Sequence, residues 1–213
     1  VIFSIYALGV ILAVASGKLF RKVLFPKAAS PFVMELPPYR MPTLKGTLLH
    51  VWERTSMFLS KAGTMILAAS VVIWALGSLP WGGKFASEGS LVGHLGRAIE
   101  PIVRPLGFDW KAAVSLLFGV GAKEIVVSTM GVLYGGGHAG GLQRALATSF
   151  TPLTAYAFMV VSLIYIPCIA TIAAIKRETN SWKWTLFAVG YSLTLAYVMG
   201  FAVYRLGMVV GFR

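Results

Sequence analysis

Cysteine, histidine and acid are all scarce in this chain: of 213 residues, one is Cys, three are His and seven are Asp or Glu. A single thiol excludes an internal disulfide and leaves the redox compartment unreadable. The three histidines fall in polar loops or surface helices and none stands beside a nucleophile, so no enzyme chemistry is indicated. No G-x-x-x-x-G-K-[ST] is present, so nothing in these residues is built to cradle a nucleotide phosphate.

Charge is thin as well, at 12% of residues against 57% hydrophobic, and mean hydropathy is +0.78. That is too oily for the surface of a soluble domain of this length. The pattern predicts an all-α, polytopic membrane bundle with discontinuous or re-entrant helices and interfacial amphipathic ones. Residues 1–17, 57–79, 152–175 and 184–204 are apolar enough to span about 30 Å of hydrocarbon as helices. Residues 1–17 lack the Met start and basic flank of a signal peptide, and the chain is expected to begin partway through a larger protein.

The net charge of +12 comes from 19 Lys and Arg. These cluster in loops and at helix ends beside the apolar runs, which fits a positive-inside pattern and snorkelling rather than nucleic-acid binding. The stretch 18–56 carries Lys18, Arg21, Lys22, Lys27, Arg40, Lys45 and Arg54 against Glu35 and Glu53, and its charge bias predicts a cytoplasmic loop. Pro37, Pro38 and Pro42 bar regular helix there. Thr43 can cap a following interfacial helix with Leu44, Leu48, Val51 and Thr55 on one face. His50 and Glu53, one turn apart, read as a solvated polar face rather than a metal site.

Residues 90–108 predict a second surface-lying helix, with an apolar stripe of Leu91, Leu95, Ala98, Ile99, Ile102 and Val103 kinked by Pro101 and Pro105. His94 there is read as structural. Asp109 is placed to cap the next segment and Trp110 to anchor it at the interface. The run "GGGHAGGLQR" at 135–144 reads as a flexible loop, with His138 solvated near a pore mouth.

A fifth apolar segment, 112–134, carries Lys123 and Glu124 at its centre. If it crossed fully, Lys176, Arg177 and Lys183 would face the side opposite the basic loop; a segment that is broken near 119–121 or returns keeps all of them together. Gly121, Glu124, Ser128, Gly131 and Gly135 recur at helical spacing as a stripe of small and polar groups. Ionisable groups at membrane depth need partners or a wet cavity, and adjacent residues on a helix point about 100° apart, so Lys123 and Glu124 do not readily pair with each other.

The stretch "IYIPCIAT" at 164–171 sets Pro167 before the only cysteine. Proline donates no backbone hydrogen bond, so the carbonyl of Leu163 loses its helical partner at mid-membrane. Cys168 follows at the bend, with Tyr165 and Thr171 expected on nearly the same face. Thiolate, freed carbonyl, hydroxyls and a carboxylate form a mixed soft and hard ligand set that suits a borderline first-row cation such as Fe(II) better than Mg(II) or Ca(II). The candidate metal contacts are Cys168 and Glu124, more weakly Ser128, Thr171 and Tyr165. Gly119, Gly121 and Pro167 are the candidate break or gating points, and Lys123 is a supporting charge. A free Cys is also commonly a small buried hydrophobe, and proline kinks occur in spans that bind nothing.

Three stretches, "PFVMELPPYRMPTLKGTLLHVWERTSMFLSKAGT", "GVGAKEIVVSTMGVLYG" and "YIPCIATIAAIKRET", together resemble the C-terminal membrane portion of the FeoB family of bacterial ferrous iron transporters. The resemblance implies a multi-pass protein of the bacterial inner (cell) membrane that moves Fe(II), with no permanently bound cofactor. It implies a helix over 1–20, a basic cytoplasmic loop with an amphipathic helix over 21–56, a Gate module over 57–175 and a last span over 181–207. The Gate module would comprise a first span, the interfacial helix 90–108, the broken helix 110–134 and the Pro-Cys span 152–175. The implied partners are the lipid bilayer, a GTP-binding N-terminal G domain and a first Gate module of the same transporter, or a second copy in a homo-oligomer. The alternatives are a Gate-type module for another solute, a nucleoside or another divalent metal, and a membrane scaffold that transports nothing.

Overall fold

A computed structural model describes residues 1–24, 43–79, 89–135 and 141–211. Lys27, Glu35, Pro37, Pro38, Arg40, Pro42 and His138 lie outside the described residues. Among those described, every regular element is a helix, and the chain divides into two compact units, Val1–Thr64 and Met65–Arg213.

The first unit holds α1 (Ile2–Val23) and the start of α2 (Leu44–Ser78). Helix α1 runs six residues beyond the apolar stretch that predicts it, and Arg21 and Lys22 in its last turn complement the negative end of its dipole. None of its residues is buried, the condition of a helix whose solvent is hydrocarbon. In α2, Leu44, Leu48 and Val51 are exposed on the predicted face.

The second unit builds the core. Helix α3 (Leu91–Val103) starts on Ser90, whose hydroxyl accepts from Gly93 N at 3.1 Å. Pro101 sits inside α3 without ending it; the chain turns instead through a 3-10 turn at Arg104–Leu106 and at Gly107, whose φ of 82° suits glycine. The side of α3 that packs on protein is Val92, Gly93 and Gly96, while Leu91, Leu95 and Ile102 of the predicted stripe stay uncovered and available to lipid. A Cβ on Gly96 would collide with Trp110 and Val114, so the glycine is what lets the next helix approach. Trp110 is therefore buried against α3 rather than anchored at the headgroups, because a flat indole fits the trough that glycine leaves.

Helices α4 (Trp110–Gly119) and α5 (Glu124–Gly135) form a hairpin. Asp109 caps α4 by accepting from Ala112 N at 2.9 Å, and the same carboxylate oxygen accepts from the hydroxyl of Tyr134, near the far end of α5. The beginning of one helix and the end of the next therefore meet, so the apolar segment enters and returns. At 10 and 12 residues the arms are about 15 and 18 Å long, about half the depth of the hydrocarbon.

Helix α6 (Gly141–Ser149) begins inside the 135–144 run that was expected to be loop. Its Leu, Gln, Arg and Ala are strong helix formers, and their propensity outweighs the preceding glycines. Helix α7 (Pro152–Ile164) is capped by Thr151, which accepts from Thr154 N at 3.2 Å, and has Pro152 where a missing N–H costs nothing. After a break at 165–168, α8 (Ile169–Thr179) continues to Asn180 in the left-handed conformation, and α9 (Trp182–Val209) completes the unit. Among the described residues α1, Pro152–Thr179 and α9 are long and apolar enough to cross a membrane. Together these helices make the chain an all-α membrane bundle.

Helix α9 lies on α7 along small residues. Ala196 is buried, a Cβ on Gly200 would meet Val161 and Leu106, and one on Gly207 would meet Leu153. Without a hydrophobic driving force between helices in lipid, such close backbone contact is what gains dispersion energy. Edge-to-face rings of Phe108, Phe158, Phe150 and Tyr134, with centroids 5.4 to 5.8 Å apart, tie α7 to the base of the hairpin.

Candidate functional site

Four helix ends meet where the hairpin tip touches the break between α7 and α8. The break has a local cause. Tyr165 N still donates to Val161 O at 2.8 Å, but Tyr165 then turns to ψ −171° and leaves the helix. From there Ser162 O has no helical donor, and Leu163 O has none because the residue four ahead is Pro167.

Both freed carbonyls are claimed by one side chain. Lys123, just ahead of α5, donates from Nζ to Leu163 O at 2.9 Å and to Ser162 O at 3.2 Å. The ammonium also lies over the ring of Tyr165, 5.5 Å from its centroid. The C-terminal end of a helix is its negative pole, so a cation is well placed there. The sequence expectation of a bare Leu163 carbonyl is thus corrected: a tethered amine reaches it, because packing brings the hairpin tip against the break.

Glu124 is in the first turn of α5 and Cys168 is the residue before α8, so carboxylate and thiol each stand at the positive pole of a helix. Glu124 is exposed and Cys168 half-buried. The Cys168 sulfur is hydrogen-bonded to Thr171 Oγ1 at 3.3 Å and lies within electrostatic reach of both Lys123 and Glu124. Among the described residues no ion pair joins Lys123 to Glu124, as their adjacent positions on the chain predict.

Tyr165 does not share a face with Cys168 and Thr171. It is 95% buried, and a Cβ on Gly119 would occupy the place of its hydroxyl. The helical wheel that grouped the three fails because the helix stops at Ile164. The Tyr165 hydroxyl has no hydrogen-bond partner among the described residues.

At Gly119 a Cβ would collide with Val126 of α5 as well as with Tyr165, whereas at Gly121, in the connector and off the helix, it would make only ordinary contacts. Ser128 hydrogen-bonds Ser70 of α2 at 2.7 Å rather than joining the tip. The buried face of α5 is Ile125, Val126, Thr129, Met130 and Leu133, and the predicted small-polar stripe is its edge, exposed at Glu124 and buried by Gly135.

Among the described residues no three His, Cys, Asp or Glu gather in one place. His50 and Glu53 are 4.0 Å apart and exposed, and His94 is exposed. Sequence reasoning missed Ser70 and the Tyr134 bond to Asp109. Only the depth of each residue along its helix could have paired them.

Residues 59–182 match the Gate family, described as nucleoside recognition, and residues 2–54 match the C terminus of ferrous iron transport protein B. Among curated proteins the chain is similar to the Fe(2+) transporter FeoB of Methanocaldococcus jannaschii, 44% identical over 97% of the chain and 32% of that protein. FeoB of Staphylococcus aureus is 43% identical over 97% of the chain and 31% of its own length. A Porphyromonas gingivalis fusion of Fe(2+) transport protein A with FeoB is 38% identical over 98% of the chain and 30% of its length. The chain thus spans about a third of these relatives. No solved structure matches it.

Proposed function

The chain belongs to the FeoB family, as its C-terminal membrane portion with a Gate module, and from that premise we propose that it forms part of the path by which Fe(II) crosses the cell membrane. The observation that carries this reading is the meeting of two interrupted helices, α4–α5 and α7–α8, where Lys123 bonds the freed carbonyls, Glu124 follows it at the start of α5 and Cys168 stands at the start of α8. Discontinuous helices at the midplane are how many transporters replace the water around an ion.

In this reading Fe(II) is the cargo. Cys168 supplies a soft donor and Glu124 a charge, with Thr171 beside them, a combination that favours a borderline cation over Mg(II). Ser128, held by Ser70, and Tyr165, turned to Gly119, play no part as ligands. The connectors 120–123 and 165–168 are where the backbone changes to open or close the path. The partners are the remaining two thirds of the transporter, a G domain and a first Gate module, or a second copy of this chain.

The test is Fe(II) uptake by the intact transporter. Cys168→Ser and Glu124→Ala are each expected to lower it about tenfold or more, as loss of a charged or soft metal contact does. Other divalent metals should compete and nucleosides should not. Unchanged uptake in both variants would remove the site, and competition by nucleosides would replace the cargo.

A further inference from the structure

We propose that the Lys123 ammonium competes with the transported cation for the carbonyls at the end of α7, so that a metal must displace it to pass. The inference deepens the Fe(II) path and rests on it.

Three features lead there. The two acceptors of Lys123, Ser162 O and Leu163 O, are the carbonyls that a discontinuous helix offers to a cation, at the negative pole of α7. An ammonium on these oxygens and a metal ion on the same oxygens would stand within a few ångströms of each other, and two positive charges at that separation repel. Third, Lys123 is not locked to an acid: no ion pair ties it to Glu124 among the described residues, and its other contact is the face of Tyr165.

A plain cap for α7 would need no charge. A hydroxyl would satisfy a carbonyl without bringing an ionised group into a membrane bundle, where charge is costly. A lysine differs in having a long flexible stem and a compact charge, so it can hold two carbonyls and also swing away from them. With the ammonium on the carbonyls, a second cation is repelled. With a divalent ion drawn in by Cys168 and Glu124, the ammonium leaves and the carbonyls are released to the cargo. A monovalent ion, attracted half as strongly by the same carboxylate, displaces it less readily, which makes Lys123 a discriminator by charge.

Equilibrium binding of Mn(II), chosen because it does not oxidise in air, to the purified full-length transporter tests this. Lys123→Met removes the charge and is expected to tighten Mn(II) binding about tenfold or more, as loss of a like charge beside the metal requires; Lys123→Arg keeps the charge and should stay near the unsubstituted affinity. Unchanged or weaker binding by a Lys123→Met protein that elutes as a folded species would overturn the proposal, since that is the result of a purely structural cap.

Should Lys123→Met not fold, the unsubstituted protein gives a second reading by acetylation of Lys123 with an amine-directed reagent, followed by mass spectrometry. Saturating Mn(II) should speed it several-fold, and an unchanged or slower rate would refute displacement. If Cys168→Ser and Glu124→Ala leave Mn(II) binding untouched, the path itself fails. If they weaken it while Lys123→Met does not tighten it, the path stands and the competition alone is gone.

Discussion

The hydroxyl of Tyr165 sits where a Cβ on Gly119 would be, so the end of α4 and the end of α7 touch with no room for a single methyl between them. This contact sets how closely the hairpin tip approaches the proline break, and hence whether Lys123 reaches the carbonyls of Ser162 and Leu163. Gly119→Ala is expected to destabilise the protein by about 1–3 kcal/mol, the usual cost of overpacking, and to lower Fe(II) uptake with it. Thermal unfolding of the transporter in detergent reads the first effect. An unshifted midpoint would mean that the two ends are not in contact.

Removing the same hydroxyl from the other side has the opposite sign. Tyr165→Phe deletes a buried polar group that has no partner among the described residues, so stability should hold or rise, by up to about 1 kcal/mol. Uptake should be unaffected. A loss of uptake with stability intact would make the phenol a ligand or a proton donor, against the geometry described here.

The base of the hairpin is held by Asp109, which caps α4 and accepts from Tyr134. Asp109→Ala should cost about 2 kcal/mol, combining a lost cap with a stranded buried hydroxyl. Tyr134→Phe should cost less, and the double variant no more than Asp109→Ala alone, because the two losses share one bond and the second removes the stranded hydroxyl. Strict additivity in unfolding measurements on all three would show that the arms are not linked there.

Two glycines of α9 should part company. Gly200 is packed against Val161 and Leu106, whereas nothing lies within 4 Å of a Cβ at Gly190. Gly200→Leu is therefore expected to separate α9 from α7 at a cost of about 2–3 kcal/mol, while Gly190→Ala should be neutral or stabilising by up to about 1 kcal/mol, the ordinary gain of alanine in a helix. Equal shifts in unfolding midpoint would contradict the small-residue seam.

Both interruptions could be read in advance because their causes are local. Pro167 has no N–H wherever it is placed, and a glycine-rich turn with two adjacent charges does not continue a lipid-facing helix. The caps at Asp109 and the end of α7 follow from the same kind of chemistry. What reading along the chain misplaced were directions. A helical wheel put Tyr165 beside Cys168, but the helix had already ended. The large apolar residues of α3 lie uncovered, as on a surface-lying helix, and what the hydrophobicity pattern did not weigh is the opposite face, where Val92, Gly93 and Gly96 pack on protein. Trp110 was sent to the interface because tryptophan often goes there, yet Gly96 opened a trough for it.

The sequence by itself determined that this chain lives in a bilayer, that its fold is helical, and that two of its helices are interrupted, since hydrophobic length and a missing hydrogen-bond donor are properties of the residues and need no neighbour. Only the tertiary structure decided who meets whom at the interruptions. A freed carbonyl accepts from whichever donor packing brings within about 3 Å, and that donor proved to be Lys123, forty residues away, because the α4–α5 hairpin packs its tip against the proline break.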